Sequence, residues 1–325
     1  MSYPKIFLIA FFAYLSILDT SLRAEEITSE HEPLYAGTLL AFYAQNAEPG
    51  RLSVEPYLFA FRRYGFYTEN WGSPHKKHST QLDLLVSLET GITKNIDITL
   101  DVNGAYSHFN KQHSWLYGDT TAFLGFQILH DQKQTATPDF RILIGETLPT
   151  GKYEHLNPDK NGSDILGSGT YATSLTIVLA KTCHFSPKHP VNFNLNLYYV
   201  VSSLAKVHGF NCYGGAFDTR GKVKPGDQFI TNVAIQYSID RNWVIGTDIH
   251  YFHQNRSSFS GKKGTLPDHT SPYVGLPSSE QFSLAPCVEY SWSEDFSCTL
   301  GPWFTVAGRN SLQFMSAAAT VFYYF

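Results

Sequence analysis

The sequence predicts an all-β protein, a transmembrane antiparallel up-and-down β-barrel of about twelve strands behind an N-terminal signal peptide. Three observations indicate this fold class. Aromatic side chains make up 15% of the 325 residues. Charged residues reach only 16%, against roughly 25% in a soluble domain. Finally, segments of about ten residues with alternating apolar and polar side chains recur along the chain. The net charge of −4 argues against a nucleic-acid partner.

The N-terminus has the pattern of an export signal. The apolar run Ile6–Leu18 follows Lys5, and the small residue Ala24 stands at a suitable cleavage position. The 13 residues of this run fall short of the ~20 that a spanning helix needs, so a retained anchor is the weaker alternative. We therefore expect residues 1–24 to be removed near Ala24 and the mature chain to lie outside the cytoplasm.

The segment that follows, 25–50, precedes the first alternating stretch. Its apolar part, 34–44, lacks a clear period of two. We expect it either to fold into the lumen as a partial plug or to pair along the periplasmic rim. Residues 51–325 are then predicted to form the barrel.

Three strands are plain from their alternation. In 81–89 one face carries the apolar residues and the other the polar ones, and 95–109 and 191–202 repeat this pattern. A helix would scatter both sets around its circumference, because its period is 3.6 rather than 2. Nine weaker segments complete the predicted twelve: 53–67, 118–130, 139–149, 168–181, 227–239, 242–254, 279–291, 295–306 and 311–325.

The connections between these segments alternate in length. Long ones rich in Gly, Pro, His and Asn are predicted at 68–79, 109–117, 150–167, 203–226 and 255–278. Tight or intermediate ones are predicted at 92–95, 131–138, 182–189, 240–241 and 292–294. Long loops on one rim and short turns on the other are the outer-membrane arrangement, with both termini in the periplasm. The connection 307–310 is an exception, since it is short on the side of the long loops.

The C-terminus and the aromatic residues agree with this arrangement. The chain ends on an aromatic residue, and Val321, Tyr323 and Phe325 share one face, as expected of a barrel-assembly signal. Aromatic residues at segment ends predict interfacial girdles, for example Tyr106, Trp243, Tyr251, Tyr290, Trp292 and Tyr324. The alternative fold is a secreted soluble β-sandwich, which would carry more charge on its outward faces.

Charged residues in the lumen-facing phase predict a mildly acidic interior. Six acids are set against one arginine: Asp83, Glu89, Asp97, Asp101, Asp248 and Glu289, with Arg141. Such carboxylates favour cations or neutral solutes over anions. Alternatively, they pair with bound ions or with one another across a closed, filled interior.

No residue set predicts a catalytic or cofactor site. Asp159, Asn161 and Ser163 resemble the opening of a calcium loop, but Gly is absent from the sixth position and Thr170 replaces the closing Glu. They are therefore only a weak metal candidate. His108, His113, His155 and Asp119 fall near the predicted outer rim and leave an outer-membrane hydrolase or lipid-modifying enzyme as an alternative. A structural or adhesive surface protein is the other alternative.

Several short motifs resemble the bacterial outer-membrane transporter family named for the meta-pathway of phenol degradation. They are Gly118-Asp119-Thr120, Pro138-Asp139-Phe140-Arg141, Leu148-Pro149-Thr150-Gly151-Lys152-Tyr153, Gly167-Ser168-Gly169-Thr170-Tyr171 and the terminal Tyr-Phe. The resemblance implies passive uptake of small, often aromatic or hydrophobic solutes, without a catalytic motif or a cofactor. The partners expected of such a protein are outer-membrane lipid, lipopolysaccharide and the barrel-assembly machinery.

Overall fold

The computed structural model describes residues 32–109, 111–132, 135–186 and 188–325. The predicted signal peptide lies outside these residues. The sixteen strands are β1 (Leu52–Tyr67), β2 (His75–Thr93), β3 (Ile96–Phe109), β4 (Gln112–Tyr117), β5 (Thr120–Leu129), β6 (Asp139–Leu148), β7 (Ala172–Cys183), β8 (Val191–Ser202), β9 (Ala205–His208), β10 (Arg220–Lys224), β11 (Gln228–Ser238), β12 (Trp243–Gln254), β13 (Ser258–Lys262), β14 (Ser279–Ser293), β15 (Phe296–Arg309) and β16 (Ser311–Tyr324).

Thirteen of these strands form one closed antiparallel sheet, in the order β2-β1-β16-β15-β14-β12-β11-β8-β7-β6-β5-β3-β4. A further β2–β3 pairing closes the ring. Strands β4 and β5 follow one another along β3 and together make one crossing, so the barrel has twelve. The predicted fold class is therefore confirmed, and a two-sheet sandwich is excluded. No helix among the residues described is long and apolar enough to cross a membrane.

The alternation of side chains separates an apolar outer face from a polar interior. On β3, Asp97 is fully buried whereas its neighbour Ile98 is 43% exposed. On β2, Gln81 is buried and Leu82 and Leu84 are exposed. Because successive side chains of a strand point to opposite faces, the exposed set forms the surface that faces lipid.

Outward aromatic rings form a row along the periplasmic rim. Successive ring centroids lie 4.7 to 5.9 Å apart along the row Trp243, Tyr290, Trp292, Phe296 and Tyr323. The last residues of the chain continue it, since the rings of Tyr323 and Phe325 are 4.4 Å apart. This row is the kind of girdle that anchors a barrel at the interface.

The girdle prediction is wrong for Tyr324. Its hydroxyl accepts a hydrogen bond from the backbone N–H of Glu48 at 2.6 Å, and the guanidinium of Arg51 lies 3.8 Å from its ring centroid. Tyr324 is one residue out of phase with Tyr323 and so lies on the opposite face of β16.

The extracellular connections hold more structure than the sequence predicts. The stretch 109–117 is a hairpin of β3 with β4 rather than a loop. The two longest loops contribute β9, β10 and β13, which form a separate three-stranded sheet. Burial explains this sheet, because Val207 and Val223 are fully buried in a small apolar core. Between β15 and β16 the turn is tight and places Asn310 at φ 49°.

Candidate functional site

Residues 32–50 lie inside the barrel. The backbone N–H of Leu34 donates to the carbonyl of Arg241 at the β11–β12 turn at 2.9 Å, and that of Asn46 donates to Oε1 of Gln127 on β5 at 3.0 Å. Between them, Leu39 is buried in a cluster with residues of β14 and β16. A segment that contacts walls on all sides of a closed barrel must occupy its lumen. We call residues 32–50 the inner segment.

The inner segment returns to the periplasmic rim before β1 begins. Pro49 forms an isolated parallel bridge with Gly91, at the end of β2. A Cβ on Gly91 would lie only 2.3 Å from the carbonyl oxygen of Ala47, so the segment can pass the wall this closely only at a glycine. The inner segment is thus lumenal along most of its length and pairs with the rim where it leaves the barrel.

Asp248 holds the middle of the inner segment. Its carboxylate accepts hydrogen bonds from Thr38 Oγ1 at 2.7 Å and from the backbone N–H of Leu40 at 3.2 Å. Asn232 Nδ2 on the neighbouring strand donates to the same carboxylate at 2.7 Å. All of these donors are neutral, so this buried acid fixes the segment without a cation beside it.

Glu289 and Glu55 hold the two flanks of the segment. Glu289 accepts hydrogen bonds from the backbone N–H of Ala36 and, at 2.9 Å, from Gln236 Nε2. Glu55 accepts a hydrogen bond at 3.1 Å from the hydroxyl of Tyr43. The sequence analysis left Glu55 off its main set of lumenal acids, although it occupies the same phase of β1 as the other inward residues.

Arg141 connects the barrel wall to the inner segment. Its Nη2 lies 2.6 Å from both Glu89 Oε1 and Asp97 Oδ1. Its Nη1 donates to the backbone carbonyls of Tyr43 at 3.0 Å and Gln45 at 3.2 Å. One buried cation thus neutralises two carboxylates of the wall and fixes two peptide groups of the segment.

Two of the acids predicted to face the lumen do not hold the inner segment. Asp83 and Asp101 are half-buried, and Oδ1 of each lacks a hydrogen-bond partner within the described part of the chain. Asp83 is the cross-strand partner of Phe59 on β1. These two carboxylates are therefore the acids that remain available to a solute.

Two asparagines that the sequence analysis did not select also bind the segment. The backbone N–H of Phe42 donates to Asn196 Oδ1 at 2.7 Å, and its carbonyl accepts from Asn194 Nδ2 at 2.9 Å. These contacts reproduce a backbone pairing with side-chain amides. The signal was present in the sequence as the unusual run of Asn192, Asn194 and Asn196 on one face of a strand.

An aromatic cluster lies inside the barrel beside the inner segment. Trp303 on β15 makes edge-to-face contacts with Phe59, Phe61 and Phe314 at centroid distances of 5.8, 5.6 and 4.9 Å. Leu39 and Leu40 of the segment pack in the same cluster of residues as Phe59 and Trp303. The indole N–H of Trp303 donates to Ser283 Oγ at 3.0 Å. We call Phe59, Phe61, Trp303 and Phe314 the lumenal aromatic cluster.

A cavity of about 680 Å³ opens around the inner segment at the periplasmic mouth. Segment residues line it together with Glu89, Asp139, Asn192 and Asn194 of the wall. The inner segment therefore divides the lumen into this polar mouth and the aromatic region on its other side.

The motifs that carry the family resemblance meet in one extracellular cluster. The carboxylate of Asp119 accepts hydrogen bonds from the backbone N–H groups of Gly151 at 2.9 Å and Ser168 at 2.8 Å. It also accepts one from Ser168 Oγ at 2.7 Å. A Cβ on Gly167 would lie 2.4 Å from the carbonyl carbon of Gly151, so glycine is needed where the two turns touch. We call Asp119, Gly151, Gly167 and Ser168 the loop clasp.

The loop clasp does not resemble a hydrolase site. Asp119 contacts Ser168 rather than a histidine, and His108 and His113 are cross-strand partners on the β3–β4 hairpin. Burial raises the pKa of the nearby Cys212 thiol to about 12, so this thiol stays protonated at neutral pH.

The weak calcium candidate lies on a single 3₁₀ turn, Pro158–Lys160, and the residues after it. Asp159 is exposed, Asn161 Nδ2 donates to the carbonyl of Asp159 at 3.1 Å, and Ser163 is buried. Asp164, the next acid, forms an ion pair with Lys152 Nζ at 2.8 Å. A lysine thus takes the position beside this carboxylate that a bound cation would need.

Solved structures share the fold. An outer-membrane channel from Pseudomonas putida F1 superposes with a TM-score of 0.63 at 11% identity, covering 87% of this chain and 98% of that one. The β-domain of the Bordetella autotransporter BrkA gives 0.45 at 10% identity, with 84% and 99% covered. The transport unit of the autotransporter AIDA-I from Escherichia coli gives 0.44 at 12% identity, with 83% and 90% covered.

No match is found among curated protein sequences. A family model, by contrast, matches residues 63–320, which is most of the chain and includes every internal motif named above. The chain belongs to the family described as "Putative MetA-pathway of phenol degradation".

Proposed function

We propose that this outer-membrane barrel is a passive channel for small, largely apolar solutes, aromatic ones among them, and that it has no catalytic residues and no cofactor. The observation that carries the proposal is the lumenal aromatic cluster. Four aromatic rings line the interior of a barrel whose other inward residues are mostly polar. Aromatic faces and edges attract a flat apolar solute, each contact contributing about 0.5 to 1.5 kcal/mol beyond burial.

Passage requires binding that is weak enough to release the solute. The cluster contains one indole donor, Trp303 Nε1, and Ser283 already accepts its hydrogen bond. A solute is therefore held by ring contacts rather than by strong directional bonds. Asp83, beside Phe59 across the strand pair, supports the further proposal that cations and neutral molecules pass more easily than anions.

The proposed surroundings of the barrel follow from its outer face. Outward apolar residues and the rim girdle suit outer-membrane lipid, and lipopolysaccharide is the proposed partner of the extracellular rim. Val321, Tyr323 and Phe325 are 37, 42 and 63% exposed on the outer face of the last strand. We propose that they are the signal read by the barrel-assembly machinery.

Planar-bilayer recording tests the channel directly. The folded full-length protein should give discrete conductance steps, and benzamide, a neutral aromatic solute, should interrupt the current. Trp303→Ala should weaken this block, because it removes the ring that touches the other three. Trp292→Ala is the matched control, since Trp292 lies in the outer girdle.

Two results would overturn the proposal. One is the absence of conductance above that of a protein-free bilayer. The other is a block by benzamide that is equally strong in the wild type and in Trp303→Ala.

A further inference from the structure

We propose that Glu154, His155 and His208 form a binding site for a divalent transition-metal ion, with Zn²⁺ the best match, on the extracellular side of the barrel. The site is independent of the lumen and of the weak calcium candidate in the same loop. It joins two connections that are far apart in the sequence: the one between β6 and β7 and the one between β9 and β10.

The three side chains converge. One ligand atom from each residue lies within 4.8 Å of the other two. Glu154 Oε2 is 3.2 Å from His208 Nδ1, and Glu154 Oε1 is 4.0 Å from His155 Nε2. The two imidazole rings are parallel, 4° apart, with centroids separated by 6.1 Å.

The backbone holds the two halves of the site together. The carbonyl of Tyr153 accepts a hydrogen bond from the backbone N–H of Cys212 at 2.7 Å, and the N–H of Leu156 donates to the carbonyl of Phe210 at 2.9 Å. Glu154 Oε2 also accepts from the backbone N–H of His208 at 2.8 Å. The site is therefore preorganised by contacts that do not need the metal.

The ligand set matches zinc chemistry. Two imidazoles and a carboxylate with an open fourth position form a common Zn²⁺ site, with bonds of about 2.0 to 2.2 Å. Ligand atoms around a tetrahedral ion are then about 3.4 Å apart, so the side chains must close by about 1 Å. This movement is cheap, because the side chains of His155 and His208 are 72% and 43% exposed and can rotate.

Binding would tie the extracellular connections to each other. The loop of Glu154 also carries part of the loop clasp, whereas His208 ends β9 of the three-stranded sheet. A metal ion between them adds a cross-link that the hydrogen bonds alone do not provide. We therefore expect Zn²⁺ to slow proteolysis of these loops.

The test is a titration of the full-length protein in detergent micelles with Co²⁺, followed by displacement with Zn²⁺. Wild type should bind one equivalent and develop the visible absorption of tetrahedral Co²⁺, which Zn²⁺ then abolishes. His155→Asn, His208→Ala and Glu154→Gln should each weaken binding by at least about 10-fold. Asn is chosen at position 155 because φ there is 53°, which Asn tolerates.

His130→Ala is the matched control, since His130 is an exposed histidine at the periplasmic end of β5. Heat-dependent gel migration shows whether each variant retains the barrel. The proposal fails if wild type does not saturate near one equivalent. It also fails if the folded His155→Asn/His208→Ala double variant binds as tightly as wild type, which would assign the metal to other histidines.

Discussion

Nη2 of Arg141 lies 2.6 Å from Oδ1 of Asp97, and neither side chain is more than 2% exposed. The same guanidinium reaches the backbone of the inner segment through Nη1. An ion pair of the wall thus also fixes the segment that fills the lumen, and the wall and its contents are expected to be stable or unstable together.

Arg141→Gln should destabilise the barrel by about 3 to 5 kcal/mol, because it leaves Glu89 and Asp97 buried without their cation. Chemical unfolding in lipid vesicles, followed by tryptophan fluorescence, measures the loss. Arg309→Gln is the control, since Arg309 pairs with Glu280 near the extracellular rim and is 21% exposed. Equal unfolding midpoints for Arg141→Gln and wild type would contradict the role given to this pair.

Deletion of residues 32–47 should raise the single-channel conductance, because the inner segment occupies the lumen from the β11–β12 turn to β5. A synthetic peptide of the deleted sequence, added from the periplasmic side, should lower the conductance again. An unchanged conductance in a folded deletion variant would show that the segment does not limit the passage.

The double variant Asp83→Asn/Asp101→Asn should reduce the preference for cations. Both carboxylates have an oxygen without a hydrogen-bond partner among the residues described, so their charge is available to a passing ion. The reversal potential in a KCl gradient reports the change. Glu294→Gln, an exposed acid of the periplasmic turn, should leave it unaltered. Anion preference in the wild type would refute the assignment.

Asp119→Ala should loosen the extracellular loop without unfolding the barrel. It removes the acceptor of three hydrogen bonds to an ionised group, each contributing about 1.5 to 3 kcal/mol. Trypsin should then cut faster at Lys152 and Lys160 while heat-dependent gel migration is retained. Asp159→Ala, an exposed change in the same loop, is the control. Equal cleavage rates in the two variants would refute the clasp.

The strands could be predicted because lipid imposes a period of two on every crossing. The predicted segment 191–202 coincides with β8, and 95–109 differs from β3 by one residue. The start of β7 was placed four residues too early, at 168, because Ser168 and Thr170 alternate with glycines but serve the loop clasp. Alternation reports which face is wet, and it does not distinguish a strand from an extended turn.

The site was less predictable, because its contacts join residues far apart in the sequence. Asp248 and Thr38 are separated by 210 positions, and the inner segment has no periodicity that would reveal its path. Lys181, 1% exposed and paired with Asp131, was missed because a lysine in a strand ordinarily indicates a solvated face. Glu154 and His208 were missed for the same reason as the path of the segment, since folded loops bring them together.

The junction at Arg51 has a consequence for biogenesis. Arg51 pairs with Asp295 at 2.6 Å and directly precedes β1, the strand that meets β16 to seal the cylinder. The stretch threaded through the middle is therefore tethered to the last seam. If the seam forms with that stretch outside, the chain must reopen it or feed a free end through the narrow mouth. Correct maturation thus couples filling to sealing, and a chain arrested before sealing would leave its interior carboxylates hydrated.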